Sequence, residues 1–194
     1  MKNVAKTTTF YDFVSLLPLC DPENAAKNID ILNKAEKPTY IFDREVPDNL
    51  NLITFGQYSD ICDALGEEDH VKAIRGMIKS LFEDVTDEDI DVAPAYDVWG
   101  LCNFICSETK HINELFSSVH LEYTEQEKKA GIDKLQFGTF GILDWYAKRM
   151  GIVDQNAVNS EKWVRIFQCM KNDSEETAYQ RRLQKVYEAE ARRK

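Results

Sequence analysis

Cys102 and Cys106 stand one helical turn apart, and His111 follows five residues later. Thiolate and imidazole groups at such spacing invite a zinc reading. A closed zinc site, however, draws on two such pairs or on clustered Cys and His. The sequence has no second pair, so the plainer reading is two small hydrophobes on a buried helix face. The run Glu83–Asp91, EDVTDEDID, raises the question of a cation loop. An EF-hand loop needs glycine at its sixth position and glutamate at its twelfth. Counted from Asp87, those positions hold Val92 and Val98. The run reads instead as an exposed turn in which Thr86 caps a helix and acids occupy its first turn.

His70, His111 and His120 are the only histidines, and none sits by a recognisable Ser or Cys nucleophile motif. Gly56 and Gly138 belong to neither a dinucleotide nor a phosphate-loop pattern. These observations point away from an enzyme: no catalytic, cofactor-binding or metal-binding residue is assigned. A metal-assisted enzyme using Cys102 and Cys106, or the acidic link, is the alternative that metal analysis would test.

The most suggestive chemistry lies at the C-terminal end. From Tyr179 to Lys194 there are six basic and two acidic residues, against a chain of net charge −10. Leu183, Val186 and Tyr187 form a narrow apolar stripe there. Arg181, Arg182, Leu183, Lys185, Val186 and Tyr187 are therefore the candidate partner-binding residues, on a helix that could lie in a partner groove. The bland alternative is a solvated helix whose basic residues complement its own C-terminus, and a third reading has the six charges hold an RNA or DNA backbone locally. The acidic body argues against a nucleic-acid binder, which needs a basic field. It suits docking on basic partner surfaces.

The elements that would carry these residues are helical. The chain has 194 residues, 43% hydrophobic and 30% charged, with five prolines and eight glycines, a balance that favours helices over a turn-rich sandwich. Five cysteines, an odd number, and an N-terminus without an apolar core segment suggest reduced thiols in a cytoplasmic setting. No stretch approaches eighteen apolar residues, so no membrane span is expected.

Residues 1–36 read as two short helices, the first capped by Thr8 or Thr9. The second is opened by Asp21, Pro22 and Glu23. Residues 37–53 read as an extended arm with at most one short strand around Tyr40–Phe42. Residues 54–172 read as a helical core. Thr54 and Gln57 compose a capping box for a helix to Leu65, which Gly66 ends. His70–Glu83 carries Val71, Ile74, Ile78, Leu81 and Phe82 on one stripe. Tyr96–Ser118 is the expected central helix, with Val98, Leu101, Cys102, Ile105, Ile112, Leu115 and Phe116 at three- and four-residue steps. Thr124 and Glu127 compose a second box. Ser160 is the expected cap of the EKWVRIFQCM helix, and Asp173 or Ser174 the start of a separate polar helix over 173–194.

Phe55-Gly56-x-Tyr58-x-x-Ile61 is echoed by Phe137-Gly138-x-Phe140-x-x-Leu143. The echo is too short to establish a duplication. It predicts the same local device twice, a close-packing glycine at a helix start with aromatic anchors. Burying Phe55, Tyr58, Phe137, Phe140, Trp145 and Trp163 would contribute ~1.5–3 kcal/mol each before entropy is subtracted. The expected fold is mainly α, an irregular helical bundle with a short extended or β arm near residues 38–53.

The order of motifs resembles a known group. An extended arm leads into LITFGQYSDI (Leu52–Ile61). An amphipathic helix and an acidic link follow, then YDVWGLCNFICSETKHINEL. FGTFGILDWYAK and a WVRIFQ helix with a polar tail close the pattern. This resembles the small helical proteins among the structural genes of tailed bacteriophages and prophages of gut Bacteroidota, including crAss-like phages. Those are similar to tail assembly chaperones. The resemblance covers roughly Tyr40–Glu190. It implies assembly work: a tail-assembly-chaperone-like, head–tail or packaged virion component that binds tail, portal-proximal or capsid proteins. It implies residence in the host cytoplasm during assembly or in the virion, is compatible with homo-oligomers, and implies no catalytic residue. The alternative from charge alone is a host-directed or regulatory module acting on a basic partner surface.

Overall fold

The computed structural model describes residues 8–119, 123–135 and 137–193. The chain is mainly helical, with one tiny antiparallel sheet. It divides into two compact units. The first holds the described residues up to Ile53 and Gln57–His111, and the second holds Thr54–Gly56 and the described residues from Ile112 onward.

In the first unit, α1 (Phe10–Leu16) starts where the Thr9 hydroxyl accepts from the Asp12 amide. Helix α2 (Pro22–Asn33) starts at Asp21, whose carboxylate accepts from the Asn24 amide, with Pro22 in the first turn. The arm is a hairpin rather than a lone strand. β1 (Tyr40–Ile41) pairs antiparallel with β2 (Arg44–Glu45). Phe42 and Asp43 between them both have positive φ, the backbone of a tight two-residue hairpin turn. Neither is glycine, so no turn signature marked it in the sequence. The Arg44 guanidinium holds Asp84 through two bonds of 2.6 and 2.8 Å and lies over the Phe82 ring.

Helix α3 (Phe55–Leu65) starts in the second unit and ends in the first. Asp69 caps α4 (His70–Leu81). Thr86 and Asp89 cap α5 (Asp87–Val92) with a reciprocal box. Helix α6 (Ala95–Ser118) then runs through the first unit into the second. Val98, Leu101, Cys102 and Ile105 on α6 are buried, as are Ile74, Met77 and Ile78 on α4, following the three-and-four spacing of both helices. Phe13, Leu32 and Ala95 form one buried cluster, with Trp99 edge-on to Phe13.

Polar groups of α6 tie the irregular segments down. The Asn103 amide donates to the Leu32 and Ala35 carbonyls at 3.0 and 3.2 Å, satisfying the end of α2. The Glu108 carboxylate accepts from the Leu50 amide at 3.1 Å. Gly100 lets the chain after α2 press onto α6, since a Cβ there would stand 2.0 Å from the Glu36 carbonyl oxygen.

In the second unit, Thr124 and Glu127 cap the short α7 (Glu125–Lys129) with a reciprocal box. Helix α8 (Gly138–Met150) ends at Gly151 in the left-handed region. A 3₁₀ segment, Gln155–Ser160, precedes α9 (Trp163–Ala191). Phe55, Phe116, Trp163 and Phe167 form an aromatic cluster with ring centroids 5.7–6.3 Å apart.

Three further expectations are corrected. Ser160 does not cap the WVRIFQ helix: it closes the 3₁₀ segment, and α9 begins after Lys162, which bridges to Thr54. No helix starts at Asp173 or Ser174, because α9 is continuous over 29 residues. The Asp173 carboxylate is taken by the Arg149 guanidinium at 3.0–3.1 Å, and its carbonyl accepts the Thr177 hydroxyl within the helix. Finally, the echo does not repeat one device. Phe55, Tyr58 and Ile61 are buried, while Phe137 is 68% exposed, Phe140 61% exposed and Trp145 half-buried. A Cβ on Gly56 would crowd Asn159 at 3.1 Å, so that glycine permits close packing. Gly138 has open space around it but φ of 55°, so it serves backbone conformation instead.

Candidate functional site

Helix α9 is about 43 Å long at 1.5 Å rise per residue. Trp163 and Ile166 bury its first turn, and beyond Ala178 it is largely exposed. Along this distal half, α9 and the segment Tyr123–Lys128 border an open groove of about 1280 Å³. Ser174, Ala178, Arg181, Lys185 and Glu188 line it from α9, following the three-and-four spacing of one helix face.

An ion pair fastens this face. The Arg181 guanidinium donates to Glu127 at 2.8 Å. The same carboxylate accepts from the Thr124 amide at 2.7 Å and hydroxyl at 3.0 Å. Those Thr124 bonds, the backbone one foremost, and then Arg181 hold the Glu127 carboxyl below its ordinary value. A single carboxylate thus caps α7 and anchors α9.

The six candidate residues do not share one surface. Arg181, Arg182 and Lys185 border the groove. Leu183 is half-buried, and Val186 and Tyr187 are 51% and 58% exposed away from it. At about 100° per residue, Leu183 lies roughly 200° around the helix from Arg181, close to the opposite side. Tyr179, 52% exposed, extends this apolar face. Its spacing of four from Leu183 was the signal for it in the sequence. Glu127 and Lys128 were missed because they join the site only through tertiary structure. A further exposed apolar group, Leu135, Phe137 and Phe140, leads into α8.

The other candidates are placed as follows. Cys102 is buried, Cys106 half-buried, and burial raises both thiol pKa values. The Cys106 sulfur lies 3.9 Å from that of Met77. His70 and His111 are exposed, and His120 lies outside the described residues. In the acidic link, Asp84 pairs with Arg44, Asp87 with Lys79 and Asp91 with Arg75, each at 2.6 Å. Asp89 is bound to Thr86. These acids knit the hairpin, α4 and α5 together. Among the described residues, no three His, Cys, Asp or Glu side chains converge on a point that could hold a metal ion. Nor is any helix there long and apolar enough to cross a membrane.

The chain matches no protein-family model, no curated protein and no solved structure.

Proposed function

We propose that this chain is a non-catalytic assembly or virion structural protein of a tailed bacteriophage, working by binding other phage structural proteins. The observation that carries the binding part is the distal half of α9. It is anchored on one side by Arg181 and Glu127 and offers an exposed apolar face on the other. A helix held on a folded base that leaves an apolar stripe exposed can dock in a partner groove, because that stripe gains from burial there. The phage context rests on the motif order from Leu52–Ile61 through the WVRIFQ helix.

The test is affinity capture of the tagged chain from infected cells, with mass spectrometry of purified particles. Tail, portal-proximal or capsid proteins in the capture, or the chain itself in particles, support the reading. Absence of a phage structural partner from both preparations overturns it. The net charge of −10 favours a second reading, a host-directed module docking on a basic surface. Stoichiometric presence within purified particles would count strongly against that one.

A further inference from the structure

We infer that the apolar face of distal α9 pairs, antiparallel, with the same face of a second copy of this chain. The inference rests on reading distal α9 as a docking element, and it names the occupant of that face in the free chain, which another structural protein would have to displace.

At three- and four-residue steps the face carries Glu176, Tyr179, Leu183, Val186, Glu190 and Arg193. These are the seam positions of a two-helix pairing. Tyr179, Val186, Glu176, Glu190 and Arg193 are exposed, and Leu183 is half-buried. Arg193 lies one residue past the helix cap at Arg192, within reach of the seam for a long side chain. The opposite side of the helix is already engaged through Arg181 and Glu127.

The charges choose the partner and its direction. The seam begins on Glu176, is apolar at Tyr179, Leu183 and Val186, and ends on Glu190 and Arg193. In an antiparallel pair, Leu183 of each copy meets Val186 of the other. Tyr179 then meets Glu190, where the phenol can donate to the carboxylate, and Glu176 meets Arg193. Two-fold symmetry makes every one of these contacts twice. A parallel pair would set Glu176, Glu190 and Arg193 each against its own copy, three like-charge layers. The sequence is therefore self-complementary in one direction only. With two apolar layers the interface is small, so the dimer should be weak, with Kd on the order of 10–100 µM.

Sedimentation equilibrium of the purified full chain across that concentration range tests this. The starting chain is expected to dimerise reversibly. Glu176→Arg and Arg193→Glu each replace two attractions by two repulsions and should weaken the dimer about tenfold or more. Mixing the two single variants, or combining E176R with R193E in one chain, restores opposite charges at both contacts and should restore association. Both positions are exposed, and circular dichroism checks that each variant folds. A chain that stays monomeric to several hundred micromolar overturns the inference. So do single variants that associate as well as the starting chain, the parallel outcome, and so does a failure of mixing to restore the dimer. An empty capture from phage-infected cells, by contrast, refutes the phage reading and leaves the sedimentation result standing.

Discussion

Gly100→Ala sets two effects of opposite sign against each other. Gly100 lies inside α6, where alanine is favoured over glycine by ~1 kcal/mol through backbone entropy. Helix propensity alone therefore predicts a more stable protein. Tertiary structure predicts the reverse. The added Cβ would stand 2.0 Å from the Glu36 carbonyl oxygen and 2.9 Å from its carbon. Ordinary contact needs over 3 Å, so one segment must move by about 1 Å. The obstacle is backbone, not the end of a flexible side chain. The carbonyls of Leu32 and Ala35 just before it are held by Asn103, and Pro38 follows at 3.5 Å from the same Cβ. Overpacking against such a segment costs ~1–3 kcal/mol or somewhat more. The clash outweighs the propensity gain, and we expect a net loss of about 1–2 kcal/mol. Urea unfolding followed by circular dichroism and tryptophan fluorescence reads this as a lower midpoint with an unchanged slope. Melting should fall by about 2–8 °C. A midpoint equal to or above that of the starting chain would refute the reasoning, for it would mean that the Glu36–Pro38 segment yields freely.

The broken echo gives a paired prediction. Phe55→Ala should cost ~3–5 kcal/mol by emptying a buried aromatic site, whereas Phe137→Ser and Phe140→Ser should stay within ~0.5 kcal/mol; equal losses in the two copies would contradict the exposure found here. Burial raises the Cys102 thiol pKa, whereas Cys20 is exposed. Iodoacetamide near neutral pH should therefore label Cys20 first and Cys102 only on unfolding, and prompt labelling of Cys102 in the folded chain would contradict its placement. The bonds from Thr124 and then Arg181 lower the Glu127 pKa from the ordinary 4.5. A carboxyl depressed in the folded state contributes stability above its unfolded pKa, the ordinary 4.5, and loses it as pH falls through the folded one. Carboxyl NMR should show a Glu127 midpoint below 4.5, and Glu127→Gln should remove the acid-side loosening of α7 from α9. A midpoint at or above 4.5 would dismiss the double role of this carboxylate.

What the amino-acid order determined by itself is local. Thr9, Asp21, Thr86 and Thr124 cap helices because a cap needs only a side-chain oxygen and an amide two or three residues on. The buried stripes of α4 and α6 follow from 3.6-residue periodicity, which also lies within a few residues of sequence. The hairpin, the unbroken α9 and the exposure of Phe137 and Phe140 were decided elsewhere. Asp173 could open a helix by type, but Arg149, distant in sequence, takes its carboxylate. Phe55 and Phe137 sit in nearly identical words, yet only Phe55 finds Phe116 across from it. Whether an aromatic is buried depends on what stands opposite, and no short stretch of sequence contains that information. The tertiary structure also made Arg181 an anchor by bringing Glu127 to it, while helical periodicity alone leaves Leu183 on the far side of the helix.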